Sequence, residues 1–325
     1  MGVLPRGHGE LYNHSMTHAA PAPEPAFLSV VVVLRYRAAF RSDKYMGGAA
    51  HKLGLSLIRL YDPALSKYLH NHNGRLPVTI SDLFQSDAHH HWMRITALRQ
   101  DVAAALAALT EHPGTWRDVD VDGWSVVQAL SHHHDWCGAA VPAQFVGEHW
   151  RQVSSLTLEF ASPTSFRSVG LYRPLPEAGL VFKSLYERWC DLVSVGLPFT
   201  PEAHMFEAFA RDMVSIGRYD LRFVEVGKKG AVIPAFQGVV TYRIEKDNAA
   251  LAKRDPALYE QLRQQHSAYA SLLHLLARFS FYGAVGIKTS QGMGMARLLE
   301  VNERLSSGKN VASRREIQFP NGGLE

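Results

Sequence analysis

Only two cysteines, Cys137 and Cys190, occur in the 325 residues, far apart and in no paired motif. That excludes a disulfide framework and a thiolate zinc site, and it predicts a reducing compartment. Long apolar runs are also missing. The longest, Ala26 to Leu34, is interrupted by Ser29 and is about half of what a bilayer span requires. The N-terminus lacks a basic segment followed by an apolar stretch and a small-residue cleavage site, so a soluble, cytoplasmic protein is expected. Neither charge sign dominates: 34 basic residues against 30 acidic ones give +4. Such a balance permits a polyanionic partner without requiring one.

What is present builds cores. The apolar share is 46%, which excludes wholesale disorder, and the length suits two ordinary domains. Residues 1–25 are rich in Pro, His, Ala and Gly without periodicity and read as a mobile arm. FLSVVVVLRYRAAF then reads as a strand. In AAHKLGLSLIRLY, residues Ala50, Leu53, Leu57, Leu60 and Tyr61 share one helical stripe. Asp62-Pro63 ends that helix and opens the short PALSKYLHN. Extended stretches at RLPVTISDLF and HWMRITAL, a helix at RQDVAAALAALT and a strand at WSVVQALS complete a β-α-β-β-α-β order. This is the ferredoxin-like pattern.

A second unit starts at SSLTLEF. Helices are expected over Glu177–Val195, Pro201–Met213 and Tyr259–Phe281, strands at RYDLRFVEV and VVTYRIE, and a last strand after Gly294. The reading is α+β, with two tandem ferredoxin-like domains over 26–152 and 153–325. After Glu303 a polar, basic tail with Lys309, Arg314 and Arg315 is expected to wrap or fray.

The sharpest local feature is GAVGIKTSQGMGMARL, with Gly283, Gly286, Gly292 and Gly294 around Lys288 and Thr289, and Arg297 just beyond. Glycines let a backbone approach a ligand and present N–H groups to phosphate oxygens. This loop runs from helix into strand, the reverse of nucleotide-binding loops, so a long backbone such as RNA is the better anionic candidate. A plain glycine turn at a sheet edge would look the same. His51, at the start of the first helix, is the second feature. The positive end of the helix dipole disfavours imidazolium, and a neutral imidazole is what a general base requires. It could equally cap or pack at a helix edge. Lys52 could stabilise phosphate charge and Tyr45 could position it. The runs His89-His90-His91 and His132-His133-His134-Asp135 invite a metal. Neighbours on a strand point to opposite faces, however, so three in a row do not converge on one ion, and solvated loop histidines are expected. Most of the tryptophans are expected to be at least partly core.

Four segments together carry a resemblance. AAHKLGLSLIRLYDPALSKYLHN with PVTISDLF, then LTLEFASPTSFRS, PLPEAGLVFKSLYERW and RFSFYGAVGIKTSQGMGMA occur in one order between residues 49 and 296. The chain thereby resembles the sixth family of CRISPR-associated proteins, the repeat-processing endoribonucleases. The resemblance implies two ferredoxin-like domains and CRISPR repeat RNA as partner, with other effector subunits in some assemblies. It implies a monomer or homodimer, no cofactor and no metal. The implied reaction is attack of the ribose 2′-OH on the neighbouring phosphate, leaving a 2′,3′-cyclic phosphate and a 5′-OH. His51 matches the family's helix histidine that serves as acid or base. Gly283 through Gly294 match its glycine loop near RNA. His70 falls where some relatives carry a second histidine. Lys52, Tyr45, Arg35 and Arg37 stand in for a supporting set that differs among relatives, and residues 110–153 match nothing in the family. The same fold also serves as a non-catalytic RNA-holding subunit, which is the alternative.

Overall fold

The computed structural model describes residues 26–38, 44–117, 119–228, 231–304 and 310–313. The expected arm over 1–25 and the tail residues Lys309, Arg314 and Arg315 lie outside the described residues. β1 (Phe27–Tyr36) is central in the first sheet, and its first six residues are all buried, as a β-branched run without alternation requires. α1 (Gly47–Tyr61) buries Ala50, Leu53, Leu57 and Ile58 in the first core. α2 (Pro63–Asn71) follows at once because the Asp62 side chain accepts the Leu65 N–H at 2.8 Å and Pro63 occupies the first helical position.

β2 (Val78–Ile80), β3 (Phe84–Gln85) and β4 (His90–Ala97) come next, then α3 (Gln100–Glu111), β5 (Asp120–Val121) and β6 (Trp124–Leu130). β7 (Gly138–Ala140) and α4 (Pro142–His149) end the first half. The sheet order is β2-β4-β1-β6-β5, with β3 beside β4 and β7 beside β1, every neighbour antiparallel.

The second half repeats the plan. β8 (Val153–Thr164) is followed by the hairpin β9 (Phe166–Ser168) and β10 (Leu171–Arg173), then by α5 (Ala178–Leu192) and α6 (Ala203–Asp212). β11 (Val214–Lys228) and β12 (Ala231–Ile244) form a long hairpin. After α7 (Ala249–Arg254), α8 (Pro256–Gln264) and α9 (His266–Gly283) come β13 (Ala296–Arg304) and β14 (Asn310–Ser313). The order is β11-β12-β8-β13-β14. In both sheets the four principal strands stand second, third, first, fourth, which is the ferredoxin-like arrangement twice over.

Two expectations are corrected. The single helix read over Tyr259–Phe281 is two, divided at Gln265 (φ −102°, ψ 10°). The halves face different surroundings: α8 buries Leu262 alone, whereas α9 is buried on nearly every side. The tail also pairs before it leaves the described residues, since β14 lies against β13.

The two halves are locked by apolar and polar contacts. Phe27 of β1 belongs to the second core, its ring 5.6 Å from Phe279 and 5.9 Å from Trp189. Arg94 on β4 is buried, its Nε donating to Ser29 Oγ at 2.7 Å and its Nη2 to the Phe281 carbonyl. Its guanidinium lies over the Phe281 ring at 4.4 Å and the Trp136 ring at 5.2 Å. No helix among the described residues is long and apolar enough to cross a membrane.

Candidate active site

The site begins with how α1 starts. Met46 at its N-cap makes no side-chain cap, and its own N–H is held by Asp82, just past β2. Asp82 Oδ1 accepts the N–H groups of Met46 and Leu83, both at 2.9 Å. Burial raises the Asp82 carboxyl to about 6, against the pull of those two donors. Tyr45, one residue earlier, has a buried hydroxyl with no hydrogen-bond partner. Burial first, then the Asp82 charge, pushes its ionisation upward. His51 sits one turn into α1, half-buried, with Nδ1 2.8 Å from the Ser290 carbonyl oxygen. A carbonyl only accepts, so Nδ1 carries the hydrogen and the neutral ring has its lone pair on Nε2.

Ser290 belongs to the glycine loop between α9 and β13, which is tied into both halves. Ile80 of β2 donates to the Thr289 carbonyl and accepts from the Gly292 N–H, each at 2.9 Å. Ile287 donates to Ser165 O at 3.0 Å, Gly294 to Pro163 O at 3.0 Å, and Gly286 to Ser184 Oγ of α5 at 2.9 Å. With Val285, Gln291 and Met293 also donating to carbonyls, the N–H groups of residues 285–287 and 291–294 are all used inside the protein.

The glycines likewise face protein. Gly292 (φ 91°) would bring a Cβ to 2.9 Å from the Gly47 Cα of α1, and Gly294 (φ 80°) to 2.0 Å from Val285 O. A Cβ at Gly283 or Gly286 would meet the Phe279 ring or Ser165 O. This corrects the expectation of a backbone cradle for phosphates. These residues let the loop reach α1, and the loop in turn holds His51.

A cleft of about 500 Å³ opens between the halves. The helix pair α1–α2 gives it His51 and His70, and the glycine loop gives Lys288 and Thr289. Arg75, Arg167 of β9, and Lys183 and Arg188 of α5 add positive charge. Glu187 and Glu207 are its acidic residues, and both are engaged. Arg75 binds Glu187 and Asp191, and Lys183 lies 2.6 Å from Glu207. The structure therefore brings together His51, His70, Gly286, Lys288 and Thr289.

Other expected residues lie elsewhere. Lys52 projects to the surface and pairs with Asp122 at 2.6 Å, both well exposed. Tyr45 packs under the loop, against Gly47 and Gly292, outside this cleft. Arg297 bonds Glu159 at 2.6 Å and lies over Trp136 at 4.4 Å. Arg35 and Arg37, at the exposed end of β1, do not line the cleft. The histidine runs scatter: His90 pairs with Asp87, His91 is buried edge-on to Trp124, and His134 lies by Trp92. Among the described residues, no group of three or more His, Cys, Asp or Glu is placed to hold a metal ion.

Sequence reasoning passed over Arg75, Arg167, Lys183 and Arg188. Three of them stand inside segments already singled out, Arg167 in LTLEFASPTSFRS and the α5 pair in PLPEAGLVFKSLYERW. The signal was two cations on a helix whose buried face is apolar and whose other charges are Glu187 and Asp191.

Residues 158–296 match the family model of the CRISPR-associated endoribonuclease Cas6. The curated Cas6 endoribonuclease of Streptococcus thermophilus is 26% identical over 141 residues, which is 43% of this chain and 49% of that protein. The match thus spans about half the length of the curated relative. Among solved structures, Cas6 of Thermus thermophilus is 22% identical, with a TM-score of 0.64 over 86% of this chain and all of that one. A Cas6 product complex is 23% identical, with a TM-score of 0.62 over 84% of this chain and 98% of the other. At such identities the likeness is one of fold, and it runs through both halves. Residues 158–296 thus match the Cas6 family model, in a chain whose fold as a whole is similar to that of solved Cas6 structures.

Proposed function

We propose that the chain is an endoribonuclease that cuts CRISPR precursor RNA within its repeats, without a metal ion. The ribose 2′-oxygen attacks the neighbouring phosphorus, an O2′–P bond forms and the P–O5′ bond breaks, leaving a 2′,3′-cyclic phosphate and a 5′-OH. The 2′-hydroxyl proton passes to a base, and the departing 5′-oxygen takes up a proton. His51 is the proposed base, through Nε2. The observation that carries this reading is the bond from His51 Nδ1 to the Ser290 carbonyl, which holds the ring at a cleft rich in basic side chains. His70 and His72 line the same cleft and are the other two imidazoles of its lining. The basic lining suits a phosphodiester backbone.

A second reading is an RNA-holding subunit without cleavage. It is favoured by the placement of Lys52 on Asp122 and of Tyr45 under the loop, which leaves His51 without those two expected companions. Incubating the protein with its repeat RNA, with and without EDTA, separates the readings. EDTA-resistant cutting with a cyclic phosphate end is the expected result. Binding without cutting supports the second reading, and cutting abolished by EDTA overturns the metal-free mechanism. Sequencing RNA that copurifies with the protein would identify the repeat.

A further inference from the structure

α5 sends two cations to the cleft, and they are treated differently. Lys183 has Glu207 as its counter-ion. Arg188 is 4% exposed, its Nε is sealed from solvent with no hydrogen-bond partner, and no carboxylate among the described residues pairs with it. The neighbouring acids, Glu187 and Asp191, are both held by Arg75. Burial and then the Arg75 charge bring the Arg188 guanidinium down to about 10, with Asp191 pulling the other way. A buried cation without a counter-ion is unfavourable in the folded state and is retained where something else supplies the opposite charge. A guanidinium is also the side chain that matches two oxygens of a phosphate with its planar fork of donors.

We propose that Arg188 is a phosphate-binding residue: its guanidinium takes one backbone phosphate of the RNA lying in the cleft, and that phosphate is the counter-ion the folded protein leaves out. The identity of the ligand as RNA rests on the reading in the preceding section, whereas the anion site itself does not.

Arg188→Met keeps length and removes charge, and Arg188→Lys keeps charge and removes the fork. Three measurements on the full chain test the proposal: thermal midpoint of the free protein, thermal midpoint with inorganic pyrophosphate, and affinity for a repeat RNA blocked at the cut by 2′-deoxyribose, across a potassium chloride series. Free Arg188→Met should melt at or above the wild-type temperature, because an unpaired buried charge has gone. Pyrophosphate should raise the wild-type midpoint and leave that of Arg188→Met unmoved. RNA affinity should fall ~10-fold or more in Arg188→Met, the scale of a lost charged hydrogen bond. Its log–log salt slope should flatten by about 0.7, one single-strand phosphate contact. Arg188→Lys should restore the slope and recover only part of the affinity.

A folded Arg188→Met with wild-type affinity and slope overturns the proposal. Should Arg188→Met fail to fold, wild-type affinity in Arg188→Lys would overturn the role of the fork. Wild-type protein that neither binds nor cuts repeat RNA overturns the RNA reading. Pyrophosphate protection through Arg188 in that same protein would still establish the anion site.

Discussion

His51 Nδ1 donates to the carbonyl oxygen of Ser290 at 2.8 Å, joining residues 239 positions apart in the chain. The bond selects one tautomer, so the nitrogen that can exchange a proton with substrate is Nε2. It also makes the state of the ring depend on the glycine loop, which hangs from both sheets.

His51→Ala is expected to lower the single-turnover cleavage rate by ~10²–10⁴-fold, the range for removing a general acid or base, with RNA affinity nearly intact. Quench-flow cleavage together with filter binding reads both quantities. If the loss is below tenfold while His70→Ala abolishes cutting, the role belongs to His70.

A repeat RNA with 2′-deoxyribose immediately upstream of the cut should bind normally and resist cleavage. The proposed nucleophile belongs to the RNA, and deleting that oxygen leaves the phosphate contacts in place. Cutting of this RNA at its usual position would rule the mechanism out.

Gly294→Ala should act through the protein. At φ 80°, with the new Cβ 2.0 Å from Val285 O, the loop must move or strain by ~1–3 kcal/mol. Denaturant melts should show the loss of stability. Cleavage should fall more than RNA affinity does, because the displaced part is the ring's holder. Equal stability and equal cleavage would show that the loop accommodates a side chain at Gly294.

Asp82 gives a prediction about pH. Folding lifts its carboxyl from 3.8 to about 6, so the folded chain holds that proton more tightly than the unfolded chain. The contribution to stability is fully present below about 3.8 and is lost as pH rises through about 6. Asp82→Asn keeps an oxygen for the Met46 and Leu83 N–H groups and removes the charge. The variant should therefore be the more stable form at neutral pH, by up to ~3 kcal/mol. Its advantage over wild type should widen by about 1 kcal/mol between pH 5 and 7.5 in urea titrations. An advantage that does not vary with pH would show that Asp82 is already ionised in the folded protein at pH 5.

The principal strands of both sheets were legible in the sequence because their signals are local, whereas the short β5, β7 and β14 carry no such signal. The valines of β1, the leucine stripe of α1 and the Asp62-Pro63 break each depend on neighbours a few positions away, and Trp116, Trp124, Trp136 and Trp189 are core as expected. His51 and the glycine loop could be found as separate pieces, but not their bond, which no spacing encodes. Lys52 and Tyr45 follow His51's neighbourhood in the chain and not in space: the helix turns Lys52 outward to Asp122, and Tyr45 is folded beneath the loop. Arg188 was invisible as a binding residue because its distinguishing property is a missing partner. That property exists only after Arg75, from another element, has taken Glu187 and Asp191.

Arg94 ties these contacts to the order of synthesis. Its partner carbonyl, Phe281, is 187 residues further along the chain. At 5–20 residues per second, a ribosome needs roughly 10–40 s to travel that distance. Through that interval the nascent first sheet holds a guanidinium on a face that will be buried, with the carbonyl that receives it and the Phe281 ring beneath it still unmade. A chain stopped before Phe281 would keep Arg94's contacts with Ser29 and the Trp136 ring and lack the carbonyl and ring that complete its burial.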